Sequence, residues 1–85
     1  MYIIAFLADD SLSSSIRNRI KERYAWARLN DSTYIIKANN ISTTIIRDGI
    51  SDNIVGDYRL FVMEVTNSPW SSYKIPSNIT SWLKD

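Results

Sequence analysis

Residues 2 to 8, Tyr2-Ile3-Ile4-Ala5-Phe6-Leu7-Ala8, form an unbroken apolar run that stops at Asp9-Asp10. The run is far too short to cross a bilayer, and it lacks helical spacing. That is the pattern of a strand covered on both faces. Because it begins at residue 2 it has little slack to wander, which places it centrally in a sheet. Whatever follows has to supply neighbours and a cover for it.

The next segment supplies a cover. Leu12, Ile16, Ile20 and Tyr24 recur every fourth residue and draw one narrow apolar stripe along a helix. Asp10 or Ser11 can cap its first amides, and the paired acids suit the positive end of its dipole. Two β-rich runs follow, residues 24–29 and 32–38, on either side of Asn30-Asp31, and read as a hairpin. Ser42 opens a second, shorter helix whose buried side is Ile41, Ile45, Ile46 and Ile50. Gly49 weakens that helix by about 1 kcal/mol relative to alanine, a cost that a close backbone contact would explain. Residues 51–57 read as loop. Tyr58 to Val65 is the second strongly apolar strand, Trp70 to Ile75 a short further one, and Pro76-Ser77 opens a last helix with Ile79, Trp82 and Leu83 facing inward.

Strand, helix, strand, strand, helix, strand is the order of an α+β, ferredoxin-like βαββαβ sandwich. Its sheet is antiparallel with both helices on one face, followed here by a C-terminal appendage. Residues 1–85 form a single domain, with the first and third strands in the middle of the sheet. The other face of such a sheet needs a cover. Three tryptophans and five tyrosines exceed what one helical layer requires, so a second subunit is expected there. Trp26, Tyr34, Tyr58, Trp70, Tyr73 and Trp82 are core or interface aromatics on this reading, with Tyr34, Tyr58, Trp70 and Tyr73 assigned to the dimer interface. Base stacking on an open sheet is the alternative.

Composition narrows the chemistry. With no cysteine and no histidine, disulfides, thiolate or imidazole metal sites, and Ser-His or Cys-His catalysis are excluded. A bound metal would have to be a hard cation on carboxylates. A net charge of +1 gives no global pull toward nucleic acid or anionic lipid. No basic stretch precedes the first apolar run and no segment is long enough to span a membrane, so a cytoplasmic chain with no membrane partner is expected.

Two local groups remain. Asp9-Asp10 could hold Mg²⁺ at a dimer axis, or could serve only as a helix cap and dipole partner. Arg17, Arg19, Lys21 and Arg23, joined by Arg28, could track a phosphate backbone, or could be a solvated helix flank. Arg19 and Arg23 fall on one side of the apolar stripe, Arg17 and Lys21 on the other.

Several segments, taken in order, resemble the Cas2-like family, especially its small stand-alone, SinR-like members. They are Ser32-Thr33-Tyr34-Ile35-Ile36-Lys37, Ile46-Arg47-Asp48, Asp57 to Val65, Trp70, and Ser81-Trp82-Leu83-Lys84. The likeness covers the chain from about residue 24 onward. It implies a ferredoxin-like homodimer with a structural or nucleic-acid-binding role in CRISPR-related or phage–host settings. In some members it implies a metal-dependent nuclease, built on an aspartate at the end of the first strand. Here that position falls on Leu7 or Ala8, and the nearest carboxylates are Asp9 and Asp10. Such a shift turns a strand side chain to the other face. The expectation is therefore a non-catalytic homodimer binding a nucleic-acid or protein partner without a cofactor. An Mg²⁺-dependent nuclease is the alternative.

Overall fold

The computed structural model describes residues 1–65, 73 and 75–84. Among them the chain runs β1 (Tyr2–Leu7), α1 (Asp10–Arg23), β2 (Ala25–Asn30), β3 (Thr33–Lys37), α2 (Thr43–Ser51), β4 (Arg59–Glu64) and α3 (Ser77–Lys84). The strands make one antiparallel sheet in the order β2-β3-β1-β4. The apolar run at the start of the chain and the second hairpin strand thus occupy the two central positions.

Strand side chains alternate between faces, and that parity decides where the core forms. Tyr2, Ile4 and Phe6 of β1 and Tyr34 and Ile36 of β3 are buried in one cluster with Ile16 and Ile20 of α1 and Ile46 and Ile50 of α2. Leu60 and Val62 of β4 pack against its margin. Full burial of each isoleucine stabilises the fold by about 1.5–3 kcal/mol relative to leaving it exposed. Tyr2 enters this core without an orphaned hydroxyl. Its Oη donates to the Ile41 carbonyl and accepts from the Ile41 amide at 3.2 Å, tying the start of β1 to the loop before α2.

Several local expectations change. β1 is covered on one face rather than both: Ile3 and Ala5, on the second face, are only half-buried, and Leu7 is exposed. The hairpin turn is Asp31-Ser32 rather than Asn30-Asp31. A bulge between Arg28 and Asn30 absorbs one residue, and Asn30 Oδ1 accepts from the Ser32 amide at 2.8 Å, which carries β2 through Asn30. Tyr24 belongs to the end of α1, where its amide still reaches the Ile20 carbonyl. Ile45 is exposed, because Ile46 and Ile50 occupy the inner side of α2 and Ile45 lies about 100° away from Ile46. Among the described residues no backbone of another element packs on Gly49; its close neighbours are the Arg23 and Tyr24 side chains. The expected strand from Trp70 to Ile75 lies largely outside the described residues, and α3 begins at Ser77 as the Pro76-Ser77 signal predicts.

Among the described residues, no helix is long and apolar enough to cross a membrane.

Candidate functional site

The strand-to-helix turn after β1 is a cap. Asp9 has extended backbone angles, and its Oδ1 accepts from the Leu12 amide at 2.8 Å; the cap is therefore Asp9 and not Asp10 or Ser11. Asp10 sits in the first turn, exposed, where a carboxylate complements the helix dipole. Among the described residues, no three acidic side chains gather into a group that could hold a metal ion. Mg²⁺ at this turn would take its ligands from Asp9 and Asp10 of two subunits, with Asp9 already hydrogen-bonded to its own helix.

The basic residues of α1 divide as their angular positions require, and the two halves do different things. Arg19 reaches across to the end of α2, where its Nη1 donates to the Gly49 carbonyl at 3.2 Å and the Asp52 carbonyl at 2.7 Å. α2 has no basic residue in its own last turn, so Arg19 supplies from a neighbouring helix the cation that its negative end favours. Arg23 lies on this side too, beside Gly49. On the other side, Arg17 donates to the Asp31 carbonyl at 3.2 Å, Arg28 pairs with the Asp31 carboxylate at 3.6 Å, and the Lys21 ammonium stands 4.9 Å from the centre of the Trp26 ring. The five basic residues therefore do not form one track. Three of them, Arg17, Lys21 and Arg28, gather along β2.

The aromatics assigned to a dimer interface also separate. Tyr34 is a core residue, not a surface one: even-numbered positions of β3 face the cluster, and its ring stacks on Phe6 and lies against Trp26. Its hydroxyl is buried and, among the described residues, makes no hydrogen bond of good geometry, although the Arg28 guanidinium lies near enough to favour its ionised form. Burial raises its pKa above the ordinary tyrosine value, with the Arg28 and Arg17 guanidiniums pulling the other way. Tyr58 is half-buried and its hydroxyl donates to the Ile54 carbonyl at 2.9 Å. Tyr73 is exposed, and Trp70 lies outside the described residues.

The second face of the sheet carries the apolar surface. In the β1–β4 register Ile3 sits opposite Met63, Ala5 opposite Phe61 and Leu7 opposite Arg59. Leu7, Phe61 and Met63 are 65%, 58% and 45% exposed, so these pairs form a continuous open strip. A hollow of about 400 Å³ lies within it, walled by Ala5, Leu7, Arg59 and Phe61. Of the aromatics expected at a covered face, Tyr34 is instead in the core, and the exposed apolar side chains of β1 and β4 on this face are Leu7, Phe61 and Met63. Its actual occupants follow from β4 parity once Leu60 and Val62 are known to face the core.

At the other end of the sheet, α3 packs against β2. Lys37 fastens it: its Nζ donates to the Trp82 carbonyl and stands 4.3 Å from the centre of the Trp82 ring. Nothing local relates residues so far apart in sequence, so this clasp left no signal there. Between α3 and the α1 side, a cleft of about 770 Å³ runs along β2, lined chiefly by Lys21, Trp26, Ala27, Arg28, Ile79 and Trp82.

No family model, curated protein or solved structure matches the chain.

Proposed function

We propose that the chain is a ferredoxin-like, Cas2-like interaction protein that works as a homodimer and performs no catalysis itself. The observation carrying this reading is the strip of Leu7, Phe61 and Met63, exposed side by side on the second face of the sheet. Adjacent apolar side chains on an open sheet face are a surface for a partner rather than for water. The order β2-β3-β1-β4, with α1 and α2 sharing one core cluster, is what a βαββαβ sandwich requires. It supports the likeness that the segments from residue 32 onward suggest.

Magnitude limits the strip's role. A stable interface buries about 800 Å² on each partner, more than a few side chains on two strands provide. The strip is therefore the apolar centre of the contact, and flanking polar residues such as Arg59 form its rim. A dimer built this way presents two copies of every other surface to its nucleic-acid or protein partner, which raises apparent affinity when both engage. Asp9 as a cap supports the non-catalytic reading, since its carboxylate already holds the Leu12 amide.

The test is sedimentation of wild type and Phe61→Glu. A charge at the centre of the strip should shift the variant to the monomer without altering its circular dichroism; equal sedimentation of the two would remove the proposed interface. Incubation of pure protein with RNA and DNA in Mg²⁺ or Mn²⁺ should leave both intact. Cleavage abolished by alanine at Asp9 and Asp10 would establish the nuclease instead.

A further inference from the structure

β2 lies at the margin of the sheet, and among the described residues no strand pairs with its outer side. In an antiparallel sheet, successive residues direct their backbone N–H and C=O alternately to the two neighbouring strands. The Phe6 amide donates to the Ser32 carbonyl on the β3 side, whereas the Met1 carbonyl accepts from Val65 on the β4 side. Even-numbered residues of β1 therefore bond to β3. Carried through the register, Tyr34 and Ile36 bond back to β1, and Ile35 and Lys37 bond to Ala27 and Ala25. Trp26 and Arg28 are left with their backbone groups directed outward. Among the described residues no hydrogen bond takes them up.

The chemistry on the two sides of this edge differs. The side toward α1 carries Lys21, Trp26 and Arg28, with Arg17 close by at Asp31. Among the described residues Asp31 is the one acid lining the cleft, and its bond to Arg28 is an exposed pair of the kind that contributes little. The side toward α3 carries Ala27, Ile79 and Trp82. An added strand sends alternate side chains to opposite faces, so the segment that fits has acidic residues on one side and apolar residues on the other.

We propose that the outer edge of β2 is a docking site for an extended segment of a partner protein, alternating acidic and apolar residues, which adds as a fifth strand. Its main chain pairs with Trp26 and Arg28, its carboxylates meet Lys21 and Arg28, and its apolar side chains enter the cleft beside Trp82. A second copy fits this edge less well, since β2 against β2 adds another Lys21 and Arg28 to an edge that already carries both and supplies no carboxylate but Asp31 among the residues lining it. This deepens the reading of the chain as an interaction protein by naming the partner class and its site, and it does not require the second subunit.

The test uses the full chain, labelled with nitrogen-15, and a soluble peptide with the repeat Glu-Val-Glu-Leu-Glu-Val. Its control replaces each glutamate by lysine. The acidic peptide should shift the Trp26 and Arg28 amides and slow their hydrogen exchange, and the lysine peptide should do neither. Reversing the cations with Lys21→Glu and Arg28→Glu should weaken the acidic peptide by about tenfold or more, with the core signals unmoved. Absence of shifts at millimolar peptide, or shifts confined to Phe61 and Met63, would overturn the proposal. So would oligothymidylate binding more tightly at the same amides, which would assign the edge to nucleic acid. Concentration-dependent protection of Trp26 and Arg28 in the free protein would assign it to a second copy and overturn it equally. Light scattering on the same samples keeps the two readings apart: a dimer that ignores the peptide removes the edge site alone, and a monomer that takes it removes the dimer alone.

Discussion

Asp9, Tyr34 and Gly49 each show how far a residue's type constrains its role. A carboxylate followed by a helical stripe signals a cap, and that much was legible; which of three neighbouring polar residues does the capping was set by where β1 ends. Asp9→Asn should keep the thermal midpoint, whereas Asp9→Ala should cost about 1 kcal/mol, measured by urea titration. A drop of equal size in both would mean that charge, not capping, matters there. Tyr34 was misread because an aromatic on a strand has the same composition whichever face it occupies, and only pairing parity sends it inward. Native Tyr34 holds its proton above the ordinary value of 10.0, where the unfolded chain releases it. Unfolding at high pH therefore releases a proton, so this contribution is complete below pH 10 and is lost as pH rises above it. Tyr34→Phe should change neutral-pH stability little, since among the described residues the hydroxyl makes no hydrogen bond of good geometry, and should flatten the alkaline decline. Tyr24, also raised by burial, will retain part of that slope. Gly49→Ala should stabilise by up to about 1 kcal/mol, because the added methyl meets only the movable end of Arg23 at 3.4 Å and the Tyr24 hydroxyl at 3.7 Å. A measurable loss would show that Arg23 is held in place.

At the scale of elements, the helices and strands were legible because their apolar spacings are distinct: fours in α1, and a bounded run in β1. Boundaries were less so. The Arg28–Asn30 bulge and the Asn30 turn depend on hydrogen bonds that a propensity pattern does not contain. Contacts between elements left still less trace. The sequence allows Arg19 to be a phosphate-tracking cation or part of a solvated flank, and does not show that it donates to the last carbonyls of α2. Arg19→Ala should therefore destabilise by about 1–2 kcal/mol, while Lys21→Ala changes stability little. Chemical denaturation of the two variants side by side checks this. If both behave alike, α2 does not depend on the guanidinium. The Gly56 loop is the counterpart on the opposite end of α1. Its φ of +152° suits glycine alone, and a β-carbon there would come within 2.7 Å of Leu12.

At the scale of the molecule, the strand order follows from a short list of rules once the elements are known, which is why an apolar run at residue 2 could be placed centrally. That two helices shield only one side of a four-stranded sheet was equally legible, and on the second face Leu7, Phe61 and Met63 are exposed while α3 packs against β2. The identity of the exposed residues was not legible, since sequence shows alternation but not which phase faces inward. Leu60 and Val62 take the core side of β4, and Phe61 and Met63 are left outside by parity. The reading of this chain as a partner-binding dimer stands on that strip. Light scattering of the wild-type protein across a dilution series is its most direct test. A homodimer held by this strip should have a mass of twice the 9.8 kDa chain at micromolar concentration, falling toward one chain on dilution. A single-chain mass throughout, with Phe61 and Met63 still open to solvent, would contradict it.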